Sequence, residues 1–204
     1  VILMIALLDI IFESLTDIST SQWFYLIIFS VALLDSVVPV VPSESMVIVG
    51  GVAAGLGDLE IPFVIVVAAI GAFLGDNMSY IIGRKASGSI DRRYRRTEKG
   101  AKRLDWAHSQ LVNRGGPLLI TARFIPGGRT LLTLTCGVTH QNQRWFAKWV
   151  GIAAVIWASY ASLLGFIGGK TFKDNHAMAF GVAFAMALAA TGMIELVRHF
   201  RNRK

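Results

Sequence analysis

Cysteine and charge are both scarce in this 204-residue sequence, which has one cysteine, Cys136. A single cysteine excludes an intramolecular disulfide and a Cys-x-x-Cys redox centre, and we expect it to pack as a small apolar residue. Charged residues make up 16% of the chain, whereas soluble globular domains have about a quarter. With 54% hydrophobic residues and a mean hydropathy of +0.57, the composition indicates a membrane protein.

Lysine and arginine are absent before Arg84. Ten of the twenty basic residues then fall between Arg84 and Arg114, and four more lie in the C-terminal RHFRNRK. The positive-inside rule therefore predicts that the loop 84–115 and the C-terminus are cytoplasmic. This rule explains the net charge of +7 more simply than nucleic-acid binding does, although the clusters could also meet anionic lipid headgroups. No basic residue indicates the orientation of the N-terminus.

Several apolar runs approach the roughly 20 residues that a helix needs to cross a bilayer. We predict an all-α polytopic membrane protein with a single domain over 1–204. The basic loop has helical spacing in EKGAKRLDWAHSQLV, which predicts a cytoplasmic helix on the membrane surface. The predicted spanning helices cover 21–38, 61–83, 145–168 and 177–197.

Two apolar segments, 35–57 and 116–138, are interrupted by proline and glycine and carry charges. Irregular backbone is not tolerated against lipid, but it occurs where protein or a wet cavity surrounds it. We therefore predict two re-entrant helical hairpins, broken near Pro39 and Pro42 in the first segment and near Pro126 in the second.

The two halves of the sequence resemble each other. VVPSESMVIVGGV parallels FIPGGRTLLTLTCGV, with Pro42 lying 84 residues before Pro126. Matched broken segments in two halves are typical of transporters built from inverted repeats. The predicted fold is two inverted repeats, each a re-entrant hairpin plus a transmembrane helix, with additional N- and C-terminal helices. The alternative is a chance similarity between two glycine-rich apolar segments.

Four charges fall within the two hairpins: Asp35, Glu44, Arg123 and Arg129. A charged side chain at the membrane centre costs about 2.5–3.5 kcal/mol on insertion scales. Pairing of the acids with the arginines across the hairpin tips would offset much of that cost. A purely structural ion-pair clamp is the alternative, but buried pairs stabilise poorly compared with apolar packing.

The residue types indicate an anion site. Arginine presents a planar fork of donors that matches phosphate oxygens, and the start of a helix favours anions. Gly127 and Gly128 allow close approach of the backbone, and Thr130 follows them. We predict that Arg123 and Arg129, with these three residues, bind the phosphate of a lipid headgroup.

Carboxylates in the same region are candidates for proton coupling. In a low-dielectric environment a carboxylate can take up a proton near neutral pH, so Asp35 and Glu44 could couple proton entry to release of the headgroup. Asp76 lies in the last third of a predicted span, one helical turn before Tyr80. It is either an arginine partner, a proton site or a solvated residue near the interface.

Three motifs together resemble the DedA family, which includes the VTT or SNARE-associated Golgi protein domain. DSVVPVVPSES resembles its acidic, proline-containing segment, with Asp35 where the family more often has Glu. GDNMSYIIGRKASG resembles its G-D-x-x-x-Y-x-x-G-R-x-x-G segment, except that the last glycine of the motif comes one residue late, at Gly88. ARFIPGGRT resembles its R-F-x-P-G-x-R-T signature. The likeness covers most of the chain.

The resemblance implies facing re-entrant hairpins and lipid translocation, with importance for Asp35, Glu44, Arg123 and Arg129. It implies a flippase in the bacterial inner membrane for undecaprenyl or another polyprenyl phosphate, dependent on the proton motive force. The alternatives are an ATP-independent phospholipid scramblase, a flippase for phosphatidylethanolamine-type lipids, or an envelope-integrity factor without transport.

Other classes of function find little support. A lipid phosphatase would need an acid–base histidine beside the arginines, but His108 lies well before them and His140 follows at a loop. We therefore expect no enzyme activity. The sequence has no nucleotide-binding GxxxxGK[ST] loop, no metal-ligand spacing and no indicated cofactor. Its expected partners are membrane lipids and protons or another ion gradient, and it is compatible with a homo-oligomer.

Overall fold

A computed structural model of the chain describes residues 22–37, 43–124 and 128–171. The described part of the chain is helical, with short turns between the helices. The helices are α1 (Phe24–Val37), α2 (Ser43–Leu56), α3 (Ile61–Lys85), α4 (Ser87–Arg95), α5 (Glu98–Arg114), α6 (Pro117–Ala122), α7 (Gly128–Val138) and α8 (Gln143–Thr171). The all-α prediction is confirmed for these residues.

Two helices are long and apolar enough to cross a membrane. Helix α3 has 25 residues and α8 has 29, and at 1.5 Å per residue α3 is roughly 37 Å long. They match the spans predicted at 61–83 and 145–168. One side of α3 exposes large apolar side chains at helical spacing, as expected of a surface that faces lipid: Phe63, Val66, Ile70, Leu74 and Met78.

The prediction of a spanning helix at 21–38 is wrong. Helix α1 begins at Phe24, ends at Val37 and has 14 residues, fewer than the roughly 20 that a span needs. The sequence explains the early end, because the residue before Pro39 is disfavoured in a helix. The span predicted at 177–197 lies outside the described residues.

Both predicted hairpin segments contain separate helices. Helix α1 ends at Val37 and α2 begins at Ser43, while α6 ends at Ala122 and α7 begins at Gly128. Each pair of bounds brackets a proline-containing stretch, 38–42 or 125–127, that lies outside the described residues together with Pro39, Pro42 and Pro126. Whether each pair of helices enters and leaves on one side of the membrane stays a prediction.

The basic loop 84–115 is more structured than a single surface helix. Helix α3 continues to Lys85, and two further helices follow it. Helix α5 starts at the Thr97 cap, whose side chain accepts a hydrogen bond from the Gly100 amide. Its Ala107 and Leu111 are buried in a hydrophobic cluster. The predicted helix is present as α5, and one of its faces belongs to the protein core, while its place on the membrane surface stays a prediction.

The chain forms two compact units. The described part of the first consists of 22–28, 43–67 and 158–171. Within it, α2 lies against α8 through small residues. Gly51 contacts the backbone at Ser162 and Gly165, and Gly55 contacts Gly169. Small residues at spacing four let two helix backbones approach closely inside a membrane.

The described part of the second unit consists of 29–37, 68–124 and 128–157. Its centre is a stripe of small residues on α3 at spacing four. Gly71 and Gly75 lie against the α1 backbone at Phe29 and Leu33. Ser79 donates a hydrogen bond to the Ser36 carbonyl at 2.7 Å, and Gly83 then contacts α7 at Leu134 and Gly137. This stripe brings α1 and α7 to the same helix.

The same contact occurs once in each unit. Gly55 of α2 lies against the carbonyl of Phe166 and the amide of Lys170 on α8. Gly137 of α7 lies against the carbonyl of Tyr80 and the amide of Arg84 on α3. Phe166 and Lys170 each lie 86 residues after their α3 counterparts, a spacing close to that of the parallel sequence motifs.

Gly137→Ala is expected to reduce the yield and thermal stability of the folded protein. A methyl group there would overlap the Tyr80 carbonyl oxygen and press on Gly83, so α7 and α3 would have to separate and lose packing contacts. Gly88→Ala is the matched control, because its Cβ would meet nothing within 4 Å. Thermal unfolding in detergent measures both variants, and equal stability would show that this close helix contact is unimportant.

Candidate functional site

Four charged residues from separate parts of the sequence converge in the second unit. Asp35 lies near the end of α1 and Asp76 lies within α3. Arg123 directly follows α6, and Arg129 lies in the first turn of α7. The α3 stripe of small residues allows this convergence, because it holds α1 and α7 against the helix that carries Asp76.

Arg123 and Asp76 form the most deeply buried pair of the cluster. Arg123 Nη1 donates a hydrogen bond to Asp76 Oδ2 at 2.7 Å, and both side chains are 1% exposed. Of the alternatives considered for Asp76, the structure supports an arginine partner, because the side chain is buried and contacts Arg123. The reading of Asp76 as a solvated residue near the interface is wrong.

Arg129 joins the second carboxylate to the cluster. Its Nη2 donates to Asp35 Oδ2 at 3.0 Å, and its Nε lies 3.6 Å from Asp76 Oδ1, which is an ion pair but too long for a hydrogen bond. The Arg129 and Asp35 side chains are 12% and 17% exposed. Asp76 therefore lies between two guanidinium groups, and the Asp35–Arg129 side of the cluster is the more accessible one.

Trp157 covers the guanidinium of Arg123. The Arg123 Cζ atom lies 5.1 Å from the centroid of the Trp157 ring, within the range of a cation–π interaction. The sequence analysis did not single out this residue. A signal was present, because Trp157 is near the middle of the 29-residue α8, whereas membrane tryptophans are usually enriched at the interfaces.

One edge of Arg123 is buried without a hydrogen-bond partner among the described residues. Both Nε and Nη2 are inaccessible and unpaired. These two nitrogens form one side of the guanidinium plane, and such an edge can donate two parallel hydrogen bonds to two oxygens. Leaving charged donors unpaired in a buried position costs about 1–3 kcal/mol or more. The arrangement is suited to a ligand with two closely spaced oxygens.

The cluster has no net formal charge, with two arginines and two aspartates. An anion that enters would leave an excess negative charge in a low-dielectric environment, which is unfavourable unless a proton enters too. No group of three potential metal-ligating side chains occurs in the described parts of the chain. The two guanidinium groups of the cluster are of the residue type that can bind an anion.

The remaining predicted site residues have different placements. Gly128 is the first residue of α7, and Thr130 lies in its first turn. Gly127 lies outside the described residues. Glu44 lies in the first turn of α2, which belongs to the first unit, where it interacts electrostatically with Tyr160. The carboxylates that the structure records in contact with the two arginines are those of Asp35 and Asp76.

Comparison with known proteins decides the family. The profile of the VTT domain matches residues 41–167, which include Asp76, both arginines and Trp157. The chain belongs to the VTT-domain, or DedA, family. This DedA-family membrane protein is 29% identical to Protein DedA of Escherichia coli K12 over 191 residues, covering 88% of this chain and 84% of that one.

Two other relatives of this DedA-family protein are informative. It is 31% identical to undecaprenyl phosphate transporter A of Staphylococcus aureus over 163 residues, covering 78% of each chain. It is 27% identical to the inner membrane protein YqjA of Escherichia coli K12 over 163 residues, covering 78% of this chain and 74% of that one. No solved structure gives a significant match.

Proposed function

We propose that this protein moves a phosphate-bearing lipid, a polyprenyl phosphate such as undecaprenyl phosphate, across the bacterial inner membrane. The observation that carries the proposal is the buried, unpaired Nε–Nη2 edge of Arg123, since a phosphate group supplies two oxygens at the spacing of such an edge. A relative named undecaprenyl phosphate transporter A supports the same class of ligand.

In this proposal the two arginines bind the phosphate together. Arg129 lies in the first turn of α7 with Gly128 and Thr130, and the amide groups of a first helical turn favour an anion. Arg123 offers its free edge while Asp76 and Trp157 hold the guanidinium plane in place. The lipid tail stays in the membrane, and only the headgroup enters the cluster.

Protons are proposed to regulate this binding. Asp35 is the more exposed carboxylate of the cluster and contacts Arg129 directly. In contrast to the expectation from the sequence that proton entry releases the headgroup, protonation of Asp35 would release Arg129 for the phosphate and keep the cluster near neutrality. Asp76 is proposed to hold the two guanidinium groups in place, because both face it. Glu44, in the first unit, is the other proposed proton site.

The proposed arrangement in the membrane places 84–115 and the C-terminus in the cytoplasm, following the distribution of basic residues. The breaks between α1 and α2 and between α6 and α7 support two re-entrant hairpins. Gly55 and Gly137 each make the same kind of close contact with a long helix, and this repetition supports an inverted repeat.

Reconstitution into liposomes tests this function. Labelled polyprenyl phosphate and labelled phosphatidylethanolamine are compared, each with and without a pH gradient. We expect transbilayer movement of the lipid phosphate, faster with the gradient, and little movement of phosphatidylethanolamine. Equal rates for the two lipids without a gradient would identify a scramblase instead, and no movement of either would contradict a transport function.

Asp35→Asn is expected to raise the affinity for a lipid phosphate several-fold. Asparagine carries no charge, so Arg129 loses its ionic partner and stays available to the phosphate. Binding of a short-chain lipid phosphate to the purified protein is measured, with Glu44→Gln as the parallel variant. Wild-type affinity for Asp35→Asn with a raised affinity for Glu44→Gln would assign the proposed role to Glu44.

A further inference from the structure

A second polar site lies at the end of α3, away from the four-charge cluster. It is a groove of about 800 Å³ within the second unit. Its lining includes two arginines, one histidine and three side-chain amides, and no carboxylate. The lining residues are Arg84, His140, Gln141, Asn142, Gln143, Arg144 and Ala147. A concave surface with two positive charges and no acid in its lining favours an anion.

The donors of this groove are held in place. Arg84 Nη1 donates to the Tyr80 hydroxyl at 2.9 Å, and that hydroxyl donates to the Gln141 carbonyl at 2.5 Å. Tyr80 is fully buried and stacks on Phe146, with ring centroids 4.6 Å apart. The guanidinium of Arg84 is therefore tethered at the groove rather than free to sample solvent.

Asn142 supplies a further donor. Its Oδ1 accepts from the amides of Arg144 at 3.0 Å and Trp145 at 3.1 Å, and it thereby caps α8. With the oxygen occupied in this way, the Nδ2 group is the part of the side chain left to meet a ligand. The Asn142 Nδ2 group therefore adds a donor to the two guanidinium groups of the groove.

His140 occupies a backbone position that would suit glycine better. Its φ is 51°, in the left-handed region that follows many helices and is usually filled by glycine. Its amide donates to the Gly137 carbonyl at the end of α7. A histidine here gives up some stability and places an imidazole in the groove, and retained strain of this kind is a reason to look for function.

The position of the groove, at the ends of α3 and α8, indicates that its ligand is a lipid rather than a free anion. Arg84 is one residue from the end of α3, and Gln143 begins α8, so both long apolar helices terminate there. The exposed side chains of Ile81 and Ile82 lie three and two residues before Arg84. A positive groove beside an apolar surface at the end of two spans matches an anionic headgroup with its acyl or prenyl chain in the membrane.

We propose that this groove binds the phosphate headgroup of an anionic membrane lipid at the membrane surface. Arg84, Tyr80 and Asp76 recur every four residues and so lie on one face of α3. Arg84 is eight residues from Asp76, which is roughly 12 Å along the helix. The groove therefore serves as a docking site on the way to the arginine cluster, and this last link rests on the proposed function.

The test is binding of dihexanoyl phosphatidic acid to the purified protein in a neutral detergent, with inorganic phosphate as the second arm. The double variant Arg84→Gln/Arg144→Gln should lower the affinity for phosphatidic acid by about tenfold or more, since each arginine supplies a charge-assisted hydrogen bond. The matched control is Arg92→Gln/Arg93→Gln, which removes the same charge from exposed positions on α4. That control should keep wild-type affinity.

A second variant separates binding from folding. His140→Gly relieves the left-handed conformation, so it should hold or raise the thermal stability while weakening lipid binding several-fold. Arg84 and Arg144 lie outside the central cluster, so the binding result for their double variant is independent of the transport assay, and either result can fail without the other. The inference is overturned if the groove variants bind phosphatidic acid like wild type, if the α4 control weakens binding equally, or if inorganic phosphate binds as tightly as the lipid.

Discussion

Arg123→Lys and Arg129→Lys are each expected to lower transport of a lipid phosphate by about ten- to a hundredfold, with the protein still folded and inserted. Lysine keeps the positive charge but has no planar fork of donors. Loss of one or two charge-assisted hydrogen bonds, each of about 1.5–3 kcal/mol, gives an effect of this size. Arg123→Lys should be the more severe, because it also loses the packing of a planar guanidinium over the Trp157 ring.

The measurement is the initial rate of lipid phosphate movement in proteoliposomes, normalised to the amount of inserted protein. Arg92→Lys is the control, since Arg92 is exposed and its Nε donates only to the Gly88 carbonyl within α4 among the contacts recorded for the described residues. Wild-type rates for both cluster variants would place phosphate recognition elsewhere in the molecule.

Asp76→Asn is expected to destabilise the protein by about 3–5 kcal/mol. It leaves the guanidinium of Arg123 buried without its counter-charge, and removing one partner of a buried ion pair has effects of this order. Both side chains are 1% exposed, so solvent screens the pair little. By contrast, Asp35→Asn should have a smaller effect, because the Asp35–Arg129 pair is partly accessible.

A double variant distinguishes a structural clamp from a binding site. Asp76→Leu/Arg123→Met removes both charges and should restore much of the lost stability, since apolar packing often replaces a buried pair without loss. Its transport should still be absent, because the donor edge is gone. Thermal unfolding and liposome transport are measured on the same preparations. A stable double variant with normal transport would show that the pair is only a clamp.

The sequence predicted the cluster better than it predicted the helices around it. Four charges were expected to meet because unpaired charges in a membrane are costly. The structure records interactions among Asp35, Arg123 and Arg129, whereas Glu44 belongs to the first unit. Whether Asp76 would be buried could not be predicted, because its burial depends on the approach of α1 and α7 to glycines of α3. Such long-range packing has no local signal in the sequence.

Helix lengths show the same limit of prediction from the sequence. The spans in α3 and α8 follow directly from long apolar runs. The run at 21–38 looks equally apolar, but the helix starts three residues later and ends before Pro39. Trp157 was missed for a different reason. A tryptophan in an apolar run is predicted to be an ordinary packing residue. Its cation–π contact is with Arg123, which lies 34 residues earlier in the sequence.

The most direct test of the central claim is a structure of the protein with bound polyprenyl phosphate. The account predicts phosphate oxygens at about 2.7–2.9 Å from Nε and Nη2 of Arg123, with Arg129 contacting the same phosphate. Phosphate bound elsewhere, with that edge of Arg123 still buried and unpaired, would contradict it.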